Sequence, residues 1–228
     1  MTLQIIEAVL FDMDGLMLDT ERIAQQAGMA ACADHGFNMT IEIAMQLLGR
    51  NSRDADIFLS QQFGPTFDAA AVRERFKARY EEALFSNGIP VKAGLHTMLD
   101  WLESIPLPKA VATSTRHDMA RKKLESVNVL HRFPHVIGGD QVVNGKPAPD
   151  IFLEAASRLG VQPKHCVVLE DSEAGVRAAL AAGMTPIMIP DLKPPTTELL
   201  SHGITVCPSL EAAARHLAAK GGFKAPLI

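Results

Sequence analysis

The sequence predicts an α/β fold: a doubly wound, mainly parallel sheet with an inserted all-helical domain. Short continuous apolar runs, each ending in polar residues, alternate with stretches whose apolar residues recur at helical spacing. Continuous runs suit strands buried on both faces, and their alternation with helices is typical of open α/β sheets. One long stretch after the first run shows helical patterns only, which indicates an insertion. Ligands of such sheets bind at the carboxyl ends of the strands.

Six apolar runs predict the strands, and five periodic stretches predict the helices that separate and follow them. The runs are residues 5–11, 110–112, 136–137, 166–169, 186–189 and 204–207, and the periodic stretches are residues 97–103, 118–126, 149–159, 174–182 and 210–219. Four more helical patterns, at residues 21–34, 41–48, 52–63 and 68–85, make up the insertion. We therefore expect a core domain of residues 1–18 and 91–228 and a helical domain of residues 19–90.

Composition and charge exclude several classes of protein. Hydrophobic residues make up 47% and charged residues 21% of the 228 residues, as in ordinary globular proteins. The net charge is −4 and the largest basic cluster, Arg121-Lys122-Lys123, is expected on a solvated helix face, so we expect no nucleic-acid partner. Three scattered cysteines, no secretion signal and no membrane-length apolar run favour a cytoplasmic protein without a membrane partner. The oligomeric state stays open.

Polar residues that carry chemistry fall at the ends of three predicted strands. They are Asp12 and Asp14 after the first strand, Thr113 and Ser114 after the second, and Glu170 and Asp171 after the strand at residues 166–169. Each group alone has a plain structural explanation, such as an Asp-Gly turn, a helix N-cap or acids at a helix N-terminus. Together they bring two acid pairs to one edge of the sheet, where they would repel one another strongly without a cation.

Lys146 completes this set. Pro147 and Pro149 stiffen the backbone just after it, which suits a lysine with one fixed target. The Gly145-Lys146 pair is not a P-loop, because Asp140 stands where that motif needs glycine. A set of oxygen ligands favours Mg²⁺, and a lysine with hydroxyls and amides suits a phosphate. The combination predicts phosphoryl transfer by electrostatic positioning.

These motifs resemble those of the haloacid dehalogenase (HAD) superfamily of phosphatases, in particular the β-phosphoglucomutase-like branch with its helical cap. The matching segments are Asp12-Met13-Asp14-Gly15 with Asp19-Thr20-Glu21 for the first motif, Thr113-Ser114 for the second, Lys146-Pro147 for the third and Leu169-Glu170-Asp171-Ser172 for the fourth. The resemblance implies a Rossmann-like catalytic core and a cap at residues 19–90. It also implies Mg²⁺-dependent hydrolysis of a small phosphorylated molecule.

The resemblance further implies a role for each motif residue. Asp12 would attack phosphorus and form an aspartyl-phosphate, and Asp14 would protonate the leaving group and then deprotonate water. Mg²⁺ would be held by Asp12, Asp171 and the backbone carbonyl of Asp14, with Glu170 supporting it directly or through water. The phosphoryl oxygens would be held by the side chain of Thr113, the amide of Ser114 and Lys146.

Alternative reactions differ from this one at identifiable positions. Mutases of the branch carry a histidine where this chain has Ala24, so a phosphatase is favoured and a phosphomutase is the alternative. Dehalogenases lack the second acid of the first motif, here Asp14, which disfavours dehalogenation. A phospho-accepting receiver module uses similar residues, but it is shorter, lacks a helical insertion and is phosphorylated on a different acid.

Four basic residues are candidates for substrate selection. They are Arg50, Arg53 and Lys77 in the predicted cap and Arg116 just past the second motif. Such side chains could hold anionic or hydroxylated groups of a substrate, although ordinary surface charge is an equally plain interpretation. The sequence does not identify the phosphorylated metabolite.

Overall fold

The computed structural model describes residues 5–48, 52–220 and 222–223. The chain divides into two compact units, one formed by Met1–Asp19 with Pro90–Ile228 and the other by Thr20–Ile89. Its helices are α1 (Glu21–Asp34), α2 (Ile41–Leu47), α3 (Ser52–Phe63), α4 (Ala69–Ser86), α5 (Leu95–Ser104), α6 (His117–Ser126), α7 (Asp150–Leu159), α8 (Glu173–Ala181), α9 (Thr197–Ser201) and α10 (Leu210–Lys220). The first four belong to the second unit.

The first unit is built on one parallel sheet, which has six strands within the described residues. These are β1 (Ala8–Phe11), β2 (Lys109–Ala112), β3 (His135–Ile137), β4 (Cys166–Glu170), β5 (Thr185–Met188) and β6 (Thr205–Val206). Their order across the sheet is β3-β2-β1-β4-β5-β6, and all neighbouring strands are parallel. The order reverses between β1 and β4, which is the switch point where doubly wound sheets bind their ligands.

The central strands of the sheet are buried on both faces. Every residue of β1 and of β4 is buried. Ala8 and Leu10 of β1 join an apolar cluster with Phe152 of α7 and Ala178 of α8. Because the alternate residues of β1 are equally buried, the opposite face is covered as well, which is why these strands are continuous apolar runs.

The structure confirms the predicted fold class, a doubly wound α/β core with a helical insertion. All six predicted strands are present and all are parallel. The main differences are that β1 begins at Ala8 and that the short helix α9 was not predicted. Within the described part of the chain, no helix combines the length and the apolar character needed to span a lipid bilayer. The three cysteines are free and buried.

The second unit is a helical bundle with its own core. Apolar side chains from all four helices take part, among them Ala31 of α1, Ala44 of α2, Phe58 of α3 and Val72 of α4. On the surface of this unit, Asp34 of α1 accepts a hydrogen bond of 2.5 Å from Arg79 of α4. A cavity of about 320 Å³ lies within the unit and is lined mainly by apolar residues of its helices.

The segments through which the chain leaves and re-enters the first unit are paired with each other. The Asp19 amide donates to the Pro90 carbonyl at 2.8 Å, and the Lys92 amide donates to the Met17 carbonyl at 2.9 Å. Leu18 forms an antiparallel bridge with the second segment. The insertion therefore begins and ends at neighbouring points of the first unit.

Candidate active site

Asp12 lies at the carboxyl end of β1, at the switch point of the sheet. Its amide donates to the Leu169 carbonyl of β4 at 3.0 Å, which extends the strand pairing by one residue. The chain then turns at Gly15, whose φ of 84° is easily reached only by glycine. A Cβ on Gly15 would also collide with the carboxylate of Asp171. Glycine at this position therefore lets the acids that follow β1 and β4 approach one another.

Lys146 joins the first and fourth motifs directly. Its Nζ donates to Asp12 Oδ1, to Glu170 Oε1 at 2.6 Å and to the Ala112 carbonyl at 3.2 Å. The exposed fractions of these side chains are 5% for Lys146, 9% for Asp12 and 1% for Glu170. One buried ammonium group is therefore shared by two buried carboxyl groups at the end of the sheet.

Burial controls the protonation of this group. Burial and the negative charges of Glu170 and Asp14 raise the pKa of Asp12, the charge and hydrogen bond of Lys146 oppose them, and the net result is a pKa of about 8. Burial also disfavours the charged form of Lys146, but Asp12 and Glu170 outweigh that effect and raise its pKa above the usual range. The lysine is therefore charged, and the protein alone favours a proton on Asp12.

Glu170 is fixed in place by the start of α8. Its Oε2 accepts hydrogen bonds from the Ser172 amide at 2.8 Å and from the Ser172 hydroxyl at 2.9 Å. The same hydroxyl caps α8 by accepting from the Gly175 amide at 3.1 Å. A Cβ on Gly175 would overlap the Glu170 carboxylate, so glycine at this helical position leaves room for the acid.

Asp14 is held by two donors from the segment after β2. Its Oδ1 accepts from Lys123 Nζ at 2.7 Å, and its Oδ2 accepts from the Thr115 hydroxyl at 2.6 Å. The Lys123 side chain is only 2% exposed. The expectation that Arg121-Lys122-Lys123 forms a solvated helix face is therefore wrong for Lys123, although its two neighbours are exposed.

The burial of Lys123 had a signal in the sequence. Ala120, Lys123 and Leu124 are all buried in α6, and their spacing of three and four residues marks one helix face. A lysine inside such a stripe needs a buried partner. A second pair was also missed: Asp191, three residues beyond the end of β5, accepts a hydrogen bond of 2.7 Å from Lys92.

The loop of the second motif lies beside Lys146, since Thr113 and Ser114 directly follow Ala112. Thr113 is buried, and its hydroxyl accepts from the Thr115 amide at 3.1 Å. Ser114 is exposed, and its carbonyl lies so close to Gly139 that a Cβ there would collide with it. The loop thus has a fixed backbone, and its contacts with a phosphate stay a prediction.

Three carboxylates of the site fit a metal ion. Asp12, Glu170 and Asp171 can each offer an oxygen such that all three oxygens lie within 4.8 Å of one another. Oxygen donors of this kind suit Mg²⁺. Both oxygens of Glu170 already accept hydrogen bonds, so Asp12 and Asp171 are the better candidates for direct ligands. The expected contribution of Asp14, through its backbone carbonyl, stays a prediction.

Three of the four candidates for substrate selection lie within the described residues, and all three are exposed. Arg50 lies outside those residues, and Arg53 is exposed on α3. Lys77 pairs with Glu74 at 2.6 Å and Arg116 with Asp118 at 3.4 Å, and all four of these side chains are exposed. Such surface pairs are weak, so they do not commit the basic side chains to a structural role. Selection of substrate by these residues stays a prediction.

The sheet is doubly wound, and clustered acids and a buried lysine lie at its switch point. These features place the chain among the α/β proteins that carry an acidic site at the ends of their strands. The chain belongs to the haloacid dehalogenase-like hydrolase family, whose model matches residues 9–189. That span contains all four motifs and the helical insertion. The predicted family is thereby confirmed.

Two curated relatives and one solved structure illustrate the likeness. A "Probable pseudouridine-5'-phosphatase" of Drosophila melanogaster is 35% identical over 88% of this chain and 88% of its own. A "Phosphorylated carbohydrates phosphatase" of Thermotoga maritima is 34% identical over 80% and 84%. The structure of a β-phosphoglucomutase from Clostridium difficile shares the fold, with a TM-score of 0.77 at 21% identity over 95% of this chain and 97% of its own. The family match and the two phosphatase relatives confirm the predicted class of enzyme, a phosphoric monoester hydrolase.

Proposed function

We propose that this protein is a Mg²⁺-dependent phosphatase that hydrolyses a small phosphomonoester, a sugar phosphate or related metabolite, through an aspartyl-phosphate on Asp12. The observation that carries the proposal is the grouping of Asp12 with Lys146, Glu170 and Asp171 at the switch point, with Asp14 two residues further along. The phosphatases among its relatives act on phosphorylated carbohydrates or a nucleotide according to their names, which supports the same class of substrate.

The proposed reaction has two half-reactions. In the first, a carboxylate oxygen of Asp12 attacks phosphorus, the bond from phosphorus to the leaving oxygen breaks, and its electron pair stays on that oxygen, which takes a proton from Asp14. In the second, water attacks the phosphorus of the aspartyl-phosphate and gives a proton to Asp14. Inorganic phosphate leaves, and Asp12 recovers its carboxylate.

The other residues bind and orient the phosphoryl group. Lys146 already lies beside Asp12, from where its ammonium would reach the phosphoryl oxygens, and the Thr113 hydroxyl and the Ser114 amide would bind the remaining ones. Mg²⁺ would be held by Asp12, Asp171 and the Asp14 carbonyl, with support from Glu170. Its positive charge would offset the negative charge of the phosphoryl group.

The helical unit is proposed to act as the cap, with the boundaries 19–90 expected from the sequence. Arg50, Arg53 and Lys77 within it, and Arg116 outside it, are proposed to contribute to the choice of substrate. Replacing each of the four by methionine would be expected to change the ranking of substrates in a panel of sugar phosphates, while the rate with a small generic ester stays nearly constant.

The covalent mechanism is tested with two conservative variants. Asp12→Asn and Asp14→Asn are each expected to lower phosphate release from p-nitrophenyl phosphate and from a panel of phosphorylated metabolites by at least about 100-fold in the presence of Mg²⁺. Glu125→Gln, which changes an exposed acid of α6, is the matched control and is expected to keep full activity. Substantial activity in Asp12→Asn would contradict covalent catalysis at that residue.

The products separate a phosphatase from the two alternatives. After incubation with a hexose 1-phosphate, free phosphate as the sole product supports hydrolysis, whereas formation of the 6-phosphate would establish a phosphomutase. The alanine at position 24, where mutases of the branch carry histidine, favours the first outcome. A receiver module would instead retain a long-lived phosphate on an acid other than Asp12, which peptide mass spectrometry after a pulse of phosphodonor would detect.

A further inference from the structure

We infer that Lys123 and Thr115 are positioning residues that set the orientation of the Asp14 carboxyl group for proton transfer. The inference rests on the proposed function, because that function assigns proton transfer to Asp14. It extends to two residues outside the four motifs. One of them, Lys123, belongs to a basic cluster of α6 whose sequence resembles an ordinary solvated surface.

The contacts restrain the carboxyl group at both of its oxygens. Lys123 Nζ donates to Oδ1 at 2.7 Å, and the Thr115 hydroxyl donates to Oδ2 at 2.6 Å. The terminal torsion of an aspartate is broad, so a carboxyl group with one partner rotates readily. Two donors that approach different oxygens define the plane of the group. Asp14 therefore presents one preferred orientation to a substrate.

Burial of the Lys123 ammonium group is unfavourable unless Asp14 pairs with it. Its side chain is 2% exposed, while that of Asp14 is 19% exposed. Taking an ammonium group out of water is costly, and only a well-placed counter-charge offsets that cost. On the same helix, Arg121 and Lys122 keep their charges in solvent. The buried lysine thus holds Asp14 from the protein side, while 19% of the Asp14 side chain stays exposed.

Thr115 links the acid to the loop that is proposed to bind phosphate. Its amide donates to the Thr113 hydroxyl at 3.1 Å, and its carbonyl accepts from the Gly139 amide at 3.0 Å. Its backbone is therefore fixed from two sides, and its hydroxyl is directed at Asp14. Thr115 therefore fixes the Asp14 carboxyl group relative to the proposed phosphate-binding loop. The turn at the end of β1 fixes the backbone of Asp14.

This arrangement predicts an effect that depends on the leaving group. A well-placed general acid contributes about 10² to 10⁴-fold to a rate, and its contribution is largest when the leaving oxygen is strongly basic. An ester whose leaving group is a weak base departs without a proton. Loss of a positioning residue should therefore harm the first kind of ester much more than the second, whereas general damage to the site would harm both equally.

The test uses phenyl phosphate and p-nitrophenyl phosphate, two esters of similar shape with leaving groups of different basicity. Lys123→Met and Thr115→Val, both close in size to the native residues, are compared with Lys122→Met, the exposed neighbour on α6. The measured quantity is kcat/KM, which reports the steps through the first phosphoryl transfer. We expect both test variants to lose about 10 to 100-fold with phenyl phosphate and less than about 3-fold with p-nitrophenyl phosphate. The control is expected to match the wild type with both esters.

An equal loss on the two esters, or no loss on either, overturns the inference. If Lys123→Met lacks a cooperative thermal transition, Thr115→Val decides the question, because only a hydroxyl is exchanged for a methyl group. Asp14→Asn separates this inference from the proposed function. If that variant shows the strong dependence on the leaving group and the two positioning variants do not, the inference fails and the proposed function stands. If Asp14→Asn keeps wild-type activity with phenyl phosphate, both fail.

Discussion

Lys146 determines the charge balance of the site, because it is one ammonium group between two carboxyl groups. It can neutralise only one of the negative charges of Asp12 and Glu170. The second carboxyl group must then be protonated or must meet another cation, since an unpaired buried charge is very costly. In the proposed function, a proton and Mg²⁺ would therefore compete for Asp12.

This competition predicts how stability depends on pH. The folded pKa of Asp12, about 8, lies above its ordinary value of 3.8, so the folded protein binds more protons than the unfolded chain between these two values. The stability contributed by this group is complete below about pH 4 and is lost as the pH rises toward 8. In metal-free buffer, the free energy of unfolding should fall more steeply across this range for the wild type than for Asp12→Asn.

Urea unfolding with a chelator, at a series of pH values between the two limits, measures this difference. Added Mg²⁺ should raise the free energy of unfolding of the wild type more at the alkaline end than at the acid end, because protonated Asp12 is a poor ligand. Parallel stability curves for the wild type and Asp12→Asn, with and without Mg²⁺, would contradict the assignment.

Individual residues differed in how far they could be predicted. The acids could be found because strand ends of a parallel sheet converge, so that Asp12 and Asp171 have to meet. Lys123 was misjudged because lysine is normally a surface residue, and which helix residue faces the end of β1 depends on the packing of α6 against the sheet. Thr115 had no signal of its own, since hydroxyls at a helix start are common caps.

At the level of elements, the first turn of α8 does two jobs. Ser172 caps the helix and also donates to Glu170, while Gly175 leaves the space that the Glu170 carboxylate occupies. The helix start and the acid of the fourth motif are therefore one packed unit. Disturbing the first turn should displace Glu170 and, through it, Lys146.

Gly175→Ala tests this coupling. Alanine is favoured over glycine inside a helix by about 1 kcal/mol, yet its Cβ would collide with the Glu170 carboxylate. We expect kcat/KM with p-nitrophenyl phosphate to fall by about 10 to 100-fold, since displacement of reacting groups by an ångström is enough for such a loss. Gly28→Ala in α1 is the control and is expected to fold normally, because the Cβ would meet the flexible end of Met39 at 3.0 Å and the Phe76 ring at an ordinary 3.9 Å. Wild-type activity in Gly175→Ala would refute the coupling.

The elements themselves were largely predictable, and the exceptions have physical causes. The first apolar run begins at Ile5, but pairing with β4 begins only at Ala8, so residues 5–7 stay outside the strand. Helix α9 has a single well-buried side chain, Leu199, which leaves no periodic pattern to detect. The ends of a strand thus depend on its pairing with neighbouring strands, and the start of a short helix depends on its capping residue. Local hydrophobicity alone predicts neither of these boundaries.

At the level of the whole molecule, the two units differ in how completely the side chains of their cores are buried and packed. The core of the sheet contains many side chains with no exposed surface. The helical unit has a smaller core, in which Phe58, Leu59 and Phe67 keep a small exposed fraction, and it contains a partly open cavity of about 320 Å³. Packing of this kind stabilises less, because groups that line a cavity lose attractive contacts.

Native-state hydrogen exchange should therefore distinguish the units. Amides of β1 and β4 are expected to exchange only by global unfolding, whereas amides of α1 to α4 should exchange through an opening of lower free energy. Peptide-level mass spectrometry at increasing, sub-denaturing urea measures both, and α10 serves as an internal reference for helices of the first unit. Equal protection of the two units at all urea concentrations would show that they unfold as one.

The paired segments at the ends of the insertion have a consequence for how such proteins diversify. Because Asp19 and Pro90 are already joined by a hydrogen bond, a gene segment encoding the helices could be exchanged for one of another length without stretching the chain of its host. The sheet with its acids would keep its register while the exchanged part explored new sequences. Natural recombination at these two points, or a laboratory library built there, would preserve the catalytic residues of the sheet. The substrate could then change with the exchanged segment.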